Sequence, residues 1–413
     1  MKVLLVGSGG REHALGWKLA RSPRVKELIS LPGNPGLARL GAVVEGISPN
    51  DVGAVAAMAR IQGVDLVVIG PEGPLAAGAA DALTALGIPV FGPTRAAARL
   101  EASKTYAKEV MNRAGVASAR SESFTEPGPA KQYLGRSEGP FVVKADGLAA
   151  GKGVLVTGSR DEATRWVDHC LEGGFGASGS SVLIEDYLDG PEVSVFAVCT
   201  DRGAVALEPA RDYKRLLDGD RGPNTGGMGS YSPVTDLPPG LIEETMRTVV
   251  EPTLAQMAED ENPFRGFLYA GLVLTAQGPM VLEFNVRLGD PETQAVLPRM
   301  TSDLIDVLEG ATPEWSDEAS VNVVLAARGY PESPVTGDVI KGIDKIPDDV
   351  LVFHAGTRLE GKTLLVDGGR VLNLVGGGPT LDMARARVYE AVESVRWPGM
   401  QYRTDIAGHI SQS

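Results

Sequence analysis

The first hundred residues alternate short apolar runs with amphipathic ones, and each apolar run ends in glycine or proline. VLLVG leads into GSGG, ELISL into PGNPG, DLVVIG into PEGP, and PVFG into PT. REHALGWKLARS, DVGAVAAMARIQG and AGAADALTALG fill the intervals with helical spacing. Apolar strands of four to six residues alternating with helices predict a parallel sheet covered on both faces. In such sheets ligands lie outside the carboxyl ends of the strands, so the four loops share one edge. Any one of them alone reads as a turn, but the four together mark a ligand-binding edge.

The opening loop, VGSGGREHAL, invites a dinucleotide reading and fails it. Gly7 and Gly9 fit the GxGxxG pattern, but Glu12 stands where the third glycine belongs. The second strand, ELISL, runs into PGN with no acidic residue to hold a ribose hydroxyl. A carboxylate beside a pyrophosphate is also repulsive. The backbone amides of a helix start can still take a monophosphate or another polar group.

Charge narrows the partners. Lys and Arg number 39 against 53 Asp and Glu, a net charge of −14, which argues against an electrostatic grip on nucleic acid or an anionic membrane. Cys170 and Cys199 have no CxxC spacing, no apolar run reaches a membrane span, and the glycines after MKVLLVG arrive too early for a signal-peptide core. A cytoplasmic, reduced protein is expected, and nothing in the sequence calls for more than a monomer.

From Ser103 the pattern changes. SKTYAKEVMNRAG reads as a helix with a glycine stop, and the polar stretch that follows, as far as GRSEG, reads as a linker. PFVVKADGLAAGKGVLVTG reads as strand, glycine-rich turn, strand. RDEATRWVDHCLEG is then a helix and SVLIEDYL a further strand. From about Ser320 the chain is strand-rich and closes with the helix LDMARARVYEAVESV. The expected division is an α/β domain over residues 1–102, a mixed α+β domain over 103–319 with a small subdomain at about 122–188, and a β-rich domain over 320–413.

Two stretches carry chemistry. ADGLAAGKGV is not a Walker A loop: three residues separate Gly147 from Gly151, Gly153 follows Lys152 where Ser or Thr is needed, and a strand follows instead of a helix. A glycine-rich turn between strands suits a lid closing over phosphates; taken alone it is as readily a mobile turn. In MVLEFNVRLGDPETQ, strand alternation puts Glu283, Asn285 and Arg287 on one face, with Phe284 and Val286 toward the core. A carboxylate and an amide oxygen two residues apart form a hard-cation pair, and magnesium completes its shell with phosphates. Arg287 beside them can steady a phosphoryl group or a carboxylate.

Lys104, Lys144, the glycine lid, IEDYLDGPE and the LEFN strand together resemble the ATP-grasp ligases. GSGGREHAL, KADGLAAGKGV, GPNTGGMGSYSP, FLYAGL and RLGDPETQ are similar, in order from Met1 to about Asp405, to the phosphoribosylamine–glycine ligase family within them. The resemblance implies an α/β and α+β multidomain fold: a Rossmann-like N-terminal substrate domain, an ATP-grasp core and a C-terminal β-rich domain. It also implies ATP, with Mg2+ or Mn2+, phosphorylating the carboxylate of glycine, followed by attack of the amine of 5-phosphoribosylamine.

Carried over residue by residue, Lys104 and Lys144 contact ATP phosphates under the lid of Gly147, Gly151, Lys152 and Gly153. The backbone near Glu185 and Leu188 holds adenine, and Glu192 the ribose. Glu283 and Asn285 hold the metal. Arg287 is catalytic together with Lys144. Asp212, Arg287 and Asp290 surround glycine. Gly10, Asn34, Glu72 and the loop Asn224, Thr225, Gly226, Gly227 meet phosphoribosylamine. His13, His169, His354 and His409 are scattered and read as structural, and both cysteines as packing residues.

The sequence departs from the family at Ala210-Arg211-Asp212-Tyr213, where a glutamine–aspartate–histidine run is common, so the contacts flanking Asp212 are less secure. FLYAGLVLT carries no acid that could add a metal ligand. GPNTGGMG and RLGDPETQ argue against a sister ATP-grasp ligase. A non-catalytic nucleotide-binding module would have lost the Glu283–Asn285 pair.

Overall fold

The structure is a computed structural model that describes residues 1–148 and 153–408. Gly151, Lys152 and His409 lie outside the described residues.

Strands Lys2–Gly7, Glu27–Pro32, Ala42–Val43, Leu66–Ile69 and Val90–Phe91 form one parallel sheet in the order third, second, first, fourth, fifth. The order reverses beside the first strand, which puts the loop after Gly7 at the switch point of the sheet. Helix Val52–Gln62 starts where Asp51 accepts a hydrogen bond from Ala54 N and stops at Gly63, whose φ of 59° suits a glycine end. AGAADALTALG holds the helix Ala79–Ala85, and a further short helix precedes it. Gly78, at φ 95°, separates Glu72–Ala77 from Ala79–Ala85, and the break leaves Glu72 at the start of its own short helix.

Helix Lys104–Ala114 begins under a Ser103 cap. The stretch read as a linker is in fact ordered: strand Ser121–Phe124 pairs with Val182–Asp186, and helix Pro127–Arg136 starts on a proline. Ser121–Phe124, Val182–Asp186, Phe141–Ala145 and Val154–Thr157 make a small antiparallel sheet in that order. Its core joins Phe141 and Val143 to Ala130 and Leu134 of one helix and to Ala163 and Val167 of the helix Arg160–His169.

A second antiparallel sheet orders Gly203–Ala206, Glu192–Thr200, Gly266–Thr275 and Gly278–Asn285. The last large sheet draws on two regions of the chain. Arg211–Asp212 and Gly229–Ser232 come from the middle, and Ala319–Ala326, Arg370–Gly378 and Val350–His354 from the end. Helix Leu381–Val392 packs on it at close range. A Cβ on Gly376 would lie 2.5 Å from the Ala384 carbonyl oxygen, which accounts for the glycine run ending Arg370–Gly378. One continuous apolar core runs through Leu4, Leu268 and Val321, so the regions share their interior.

Candidate active site

Pairing with Gly266–Thr275 sets the phase of the strand carrying Glu283. The register slips where Glu283 faces Gly271 and Val281 faces Leu272, leaving Leu282 as an extra residue. Such a bulge re-aims the side chains beyond it. Phe284 and Val286 are buried, while Glu283, Asn285 and Arg287 line a cleft of about 1560 Å³. Helices of the first domain, both antiparallel sheets and the chain-end sheet contribute to its walls.

Arg287 is fixed from several sides. Its Nη2 donates to Asn285 Oδ1 at 2.8 Å and pairs with Glu101 Oε1 at 2.9 Å, and Nε donates to Glu72 Oε2 at 3.3 Å. Burial alone would weaken the guanidinium, but Glu101 and Glu72 outweigh it and keep Arg287 firmly charged. Burial pushes the Glu72 carboxyl up, yet Arg287 and then Arg11 bring it down to about 2. Glu72 thus enters the site as an anchor for two arginines.

Beside this network lies a row of lysines. Lys144 Nζ reaches Glu185 Oε2 at 2.6 Å and the Leu282 carbonyl at 3.2 Å, and Lys108 takes the other Glu185 oxygen at 3.0 Å. Lys104 Nζ donates to the Gly147 carbonyl at 2.9 Å. Glu283 is buried, which opposes its charge, but Lys214, Lys144 and Lys104 hold its carboxyl below the usual range. Glu192, at the rim, pairs with Lys214 at 2.5 Å. Gly153 and Leu188 line the same end of the cleft.

At the floor two acids face each other. Burial, then the neighbouring Asp212, pushes the Glu292 carboxyl up to about 7. Burial also raises Asp212; Lys214 opposes that, while Glu192 and Glu283 add to it. Glu292 accepts a hydrogen bond from Ser194 Oγ at 3.2 Å. Two buried carboxyl groups of this kind favour a small cation between them. Asp290 differs, because its oxygens already accept from Gln294 Nε2 at 2.7 Å and pair with Arg370 Nη2 at 3.1 Å. Burial opposes its charge, but Arg370 and Arg11 hold its carboxyl low.

The hairpin Arg215–Leu217/Arg221–Asn224 presents Asn224, Thr225 and Gly226 to the cleft. Gly227 does not line it. Its φ of 110° and its approach to Pro291, where a Cβ would lie 2.3 Å from Cδ, make it the turn that sets the loop against the RLGDPETQ segment.

Besides Gly227, two more expected substrate contacts, Asn34 and Gly10, are not brought into the cleft. Asn34 is buried and spends its whole amide inside the protein, donating to Ser8 O at 2.8 Å and His354 O at 2.9 Å while accepting from Gly36 N and Leu37 N. Gly10 abuts Asn373 and Gln294, at 2.3 Å and 2.7 Å from where a Cβ would stand. Both residues seat the parallel-sheet domain on the chain-end sheet. Glu12 also turns inward: its Oε2 accepts from Gly9 N at 2.7 Å, and its Oε1 would meet a Cβ on Gly70 at 2.3 Å. The helix start is thus capped by the chain's own carboxylate. Arg11 donates from Nε to Glu12 Oε1 at 2.5 Å and lines the cleft.

His13 and His354 are structural, as expected. His13 Nδ1 accepts from His354 N at 2.7 Å, and burial drives the two imidazoles down to about 3 and about 4. Cys170 and Cys199 are buried free thiols. Among the described residues no three His, Cys, Asp or Glu side chains gather to hold a metal. The sequence reading missed Lys214, Glu292, Arg11, Lys108 and Arg370. Lys214 sits two residues from Asp212 and Glu292 within DPETQ, so spacing could have found those two; nothing local marks the others.

Comparison with known proteins agrees along the whole chain. Residues 1–101, 102–293 and 320–409 match, respectively, the N domain, the ATP-grasp (A) domain and the C domain of phosphoribosylglycinamide synthetase. A phosphoribosylamine–glycine ligase from Brucella melitensis is 47% identical, covering 98% of this chain and 97% of the relative. The crystal structure of phosphoribosylamine–glycine ligase from Thermotoga maritima aligns with a TM-score of 0.85 at 36% identity, over 98% of this chain and 100% of that one. The biotin carboxylase domain of a Hydrogenobacter thermophilus 2-oxoglutarate carboxylase shares the fold, with a TM-score of 0.74 at 18% identity, over 97% of this chain and 91% of that domain's chain.

Proposed function

The chain belongs to the phosphoribosylglycinamide synthetase family, and we propose that its reaction takes place in the cleft lined by Lys144, Glu283, Arg287 and Asp212. The activity is the ATP-dependent ligation of glycine to 5-phosphoribosylamine, which yields glycinamide ribonucleotide, ADP and phosphate in purine biosynthesis. In our reading a glycine carboxylate oxygen attacks the γ-phosphorus and ADP leaves. The amine then attacks the carbonyl carbon of glycyl phosphate and expels phosphate.

Phosphoryl transfer asks the protein for position and charge more than for a covalent partner. Lys104 and Lys144 lie at the end of the cleft that takes the phosphates, and Glu185 and Lys108 hold Lys144 in place. The backbone at Glu185 and Leu188 takes adenine, and Glu192 the ribose. Bound magnesium, or manganese in its place, neutralises phosphate charge; Glu283 and Asn285 hold it, Asn285 Oδ1 having a second lone pair beyond its bond to Arg287. Arg287, kept cationic by Glu101 and Glu72, faces the carboxylate and the acyl phosphate. The ammonium group of glycine fits between Asp212 and Glu292, since both Asp290 oxygens are already engaged. Phosphoribosylamine lies toward Arg11, Arg370 and the Asn224–Gly226 turn.

The observation that carries this reading is convergence. Residues more than 200 positions apart, from Arg11 to Asp290, line one cleft, with Lys214, Lys144 and Lys104 acting on Glu283 and with Asp212 acting on Glu292. We place the enzyme in the cytoplasm as a monomer; among the described residues no helix is long and apolar enough to cross a membrane. The test is a coupled assay with ATP, magnesium, glycine and freshly made phosphoribosylamine. ADP release should require both acceptor substrates, and ADP release without either one refutes the assignment.

A further inference from the structure

The end of the chain grips the hairpin that lines the substrate side of the cleft. Arg403 is 1% exposed and is held as a fork: Nε and Nη2 each donate to one Asp405 oxygen at 2.7 Å. Its Nη1 reaches across to the hairpin, to Arg215 O and Asp220 Oδ1, both at 3.2 Å. Its guanidinium lies 4.8 Å from the centre of the Tyr213 ring. The neighbours of Arg403 repeat the grip. Gly219 N donates to Asp405 Oδ2 at 2.9 Å, Thr404 N to Asp218 Oδ1 at 2.8 Å, and Ala407 N to Tyr213 OH at 2.9 Å. Tyr389, on the last helix, fixes the strap from behind by donating to Arg403 O and accepting from Ile406 N.

What is gripped matters. Tyr213 stands between Asp212 and Lys214, and the hairpin runs on to Asn224 and Thr225; all five line the cleft. The hairpin's two strands form a two-stranded sheet of their own, with an irregular register between Arg215 and Leu217, so their ladder holds them weakly. A planar guanidinium that bonds bidentately to one carboxylate, reaches two further oxygens and stacks on a ring fixes orientation as well as distance.

We propose that Arg403 is a positioning residue: with Asp405 it holds the 211–225 hairpin in the register that presents Asp212, Lys214 and Asn224 to the acceptor substrates. The inference rests on the assignment of the cleft made above. Arg403 borders the same cleft, but its guanidinium is spent on Asp405, Arg215 O and Asp220, so it acts through the hairpin. Lys104 and Lys144, on elements the strap does not contact, keep their places when it is loosened.

The experiment assays full-length wild type, R403M, R403K and V388A in the coupled assay, with thermal unfolding alongside. Wild-type ADP release dependent on both acceptors establishes the cleft assignment independently of the variants. R403M is expected to lower kcat/KM for phosphoribosylamine by about 100-fold, the scale set by displacing reacting groups about 1 Å, with the KM for ATP within about twofold. R403K keeps the charge without the planar fork and should recover little of the loss. Val388 is buried where the last helix packs on Gly376 of the chain-end sheet; V388A should lower the unfolding midpoint and leave every KM unchanged. If R403M behaves like V388A, or raises all three KM values equally, Arg403 is only a stabilising residue and the inference fails. Should R403M not fold, D405N removes half of the fork and is judged by the same split between phosphoribosylamine and ATP.

Discussion

Replacing Glu292 with glutamine should make the ligand-free protein more stable and the enzyme worse. Burial, and then the nearby Asp212, lifts the folded carboxyl to about 7 from an ordinary 4.5. The folded state therefore holds this proton more tightly than the unfolded state does. Below pH 4.5 both states are protonated and the group is neutral to stability. Between 4.5 and 7 the unfolded chain ionises first and folding loses ground. Above 7 the loss is constant, and the gap between the two values corresponds to about 3 kcal/mol. Glutamine keeps the volume and can still accept from Ser194 Oγ, so E292Q removes the charge and little else. Urea unfolding without magnesium or nucleotide should show E292Q within about 1 kcal/mol of wild type at pH 5 and more stable by about 3 kcal/mol at pH 8.5. In the coupled assay kcat/KM for glycine should fall by about 10- to 100-fold, the value of one charge-assisted hydrogen bond to the ammonium group. A stability gap that does not change with pH would refute the buried, displaced carboxyl. An unchanged kcat/KM for glycine would remove Glu292 from the ammonium site.

Glu283→Gln should reduce kcat by at least about 100-fold while the KM for glycine stays within about threefold, because charge neutralisation at the phosphates matters most as the phosphoryl group moves; wild-type turnover in E283Q takes Glu283 out of the site. The buried histidines predict acid lability. The folded pKa of His13, about 3, lies below its ordinary 6.5, so the stability it contributes is complete above 6.5 and is lost as pH falls toward 3, amounting to about 2 kcal/mol by pH 5. Urea midpoints measured from pH 7.5 to 5 should fall in wild type and fall less in H13N, whose side-chain oxygen can replace Nδ1 as acceptor for His354 N; equal slopes for the two proteins would overturn the account.

Features that rest on local periodicity were legible in the sequence. Alternation put Glu283, Asn285 and Arg287 on one face, and the structure has all three in the cleft. The bulge at Leu282 was not legible, because a register slip depends on the partner strand and leaves no mark in its own residues. Glu12 was read as unfavourable to a dinucleotide, and in the structure its carboxylate takes the Gly9 amide that a phosphate would use. The stretch from 116 to 139 looked like a linker because an edge strand and a surface helix bury few side chains, chiefly Val116, Ala119, Phe124, Ala130 and Leu134.

Asn34 and Gly10 show where reading outward from a loop fails. Each sits in a glycine-rich loop at the ligand edge of the parallel sheet, and for each the decisive partner is more than 280 residues away: His354 O for Asn34, and Gln294 with Asn373 for Gly10. The chain-end sheet covers part of that edge, so loops that could have met a ligand meet protein instead. The same covering brings Arg370 beside Asp290 and Arg403 beneath the 211–225 hairpin. A region that reads as strands with little chemistry therefore decides which loops of the first domain remain open and how the substrate hairpin is held. Its arginines escaped notice because each acts on a distant segment, and sequence spacing reports only what neighbours on one strand or helix can do together.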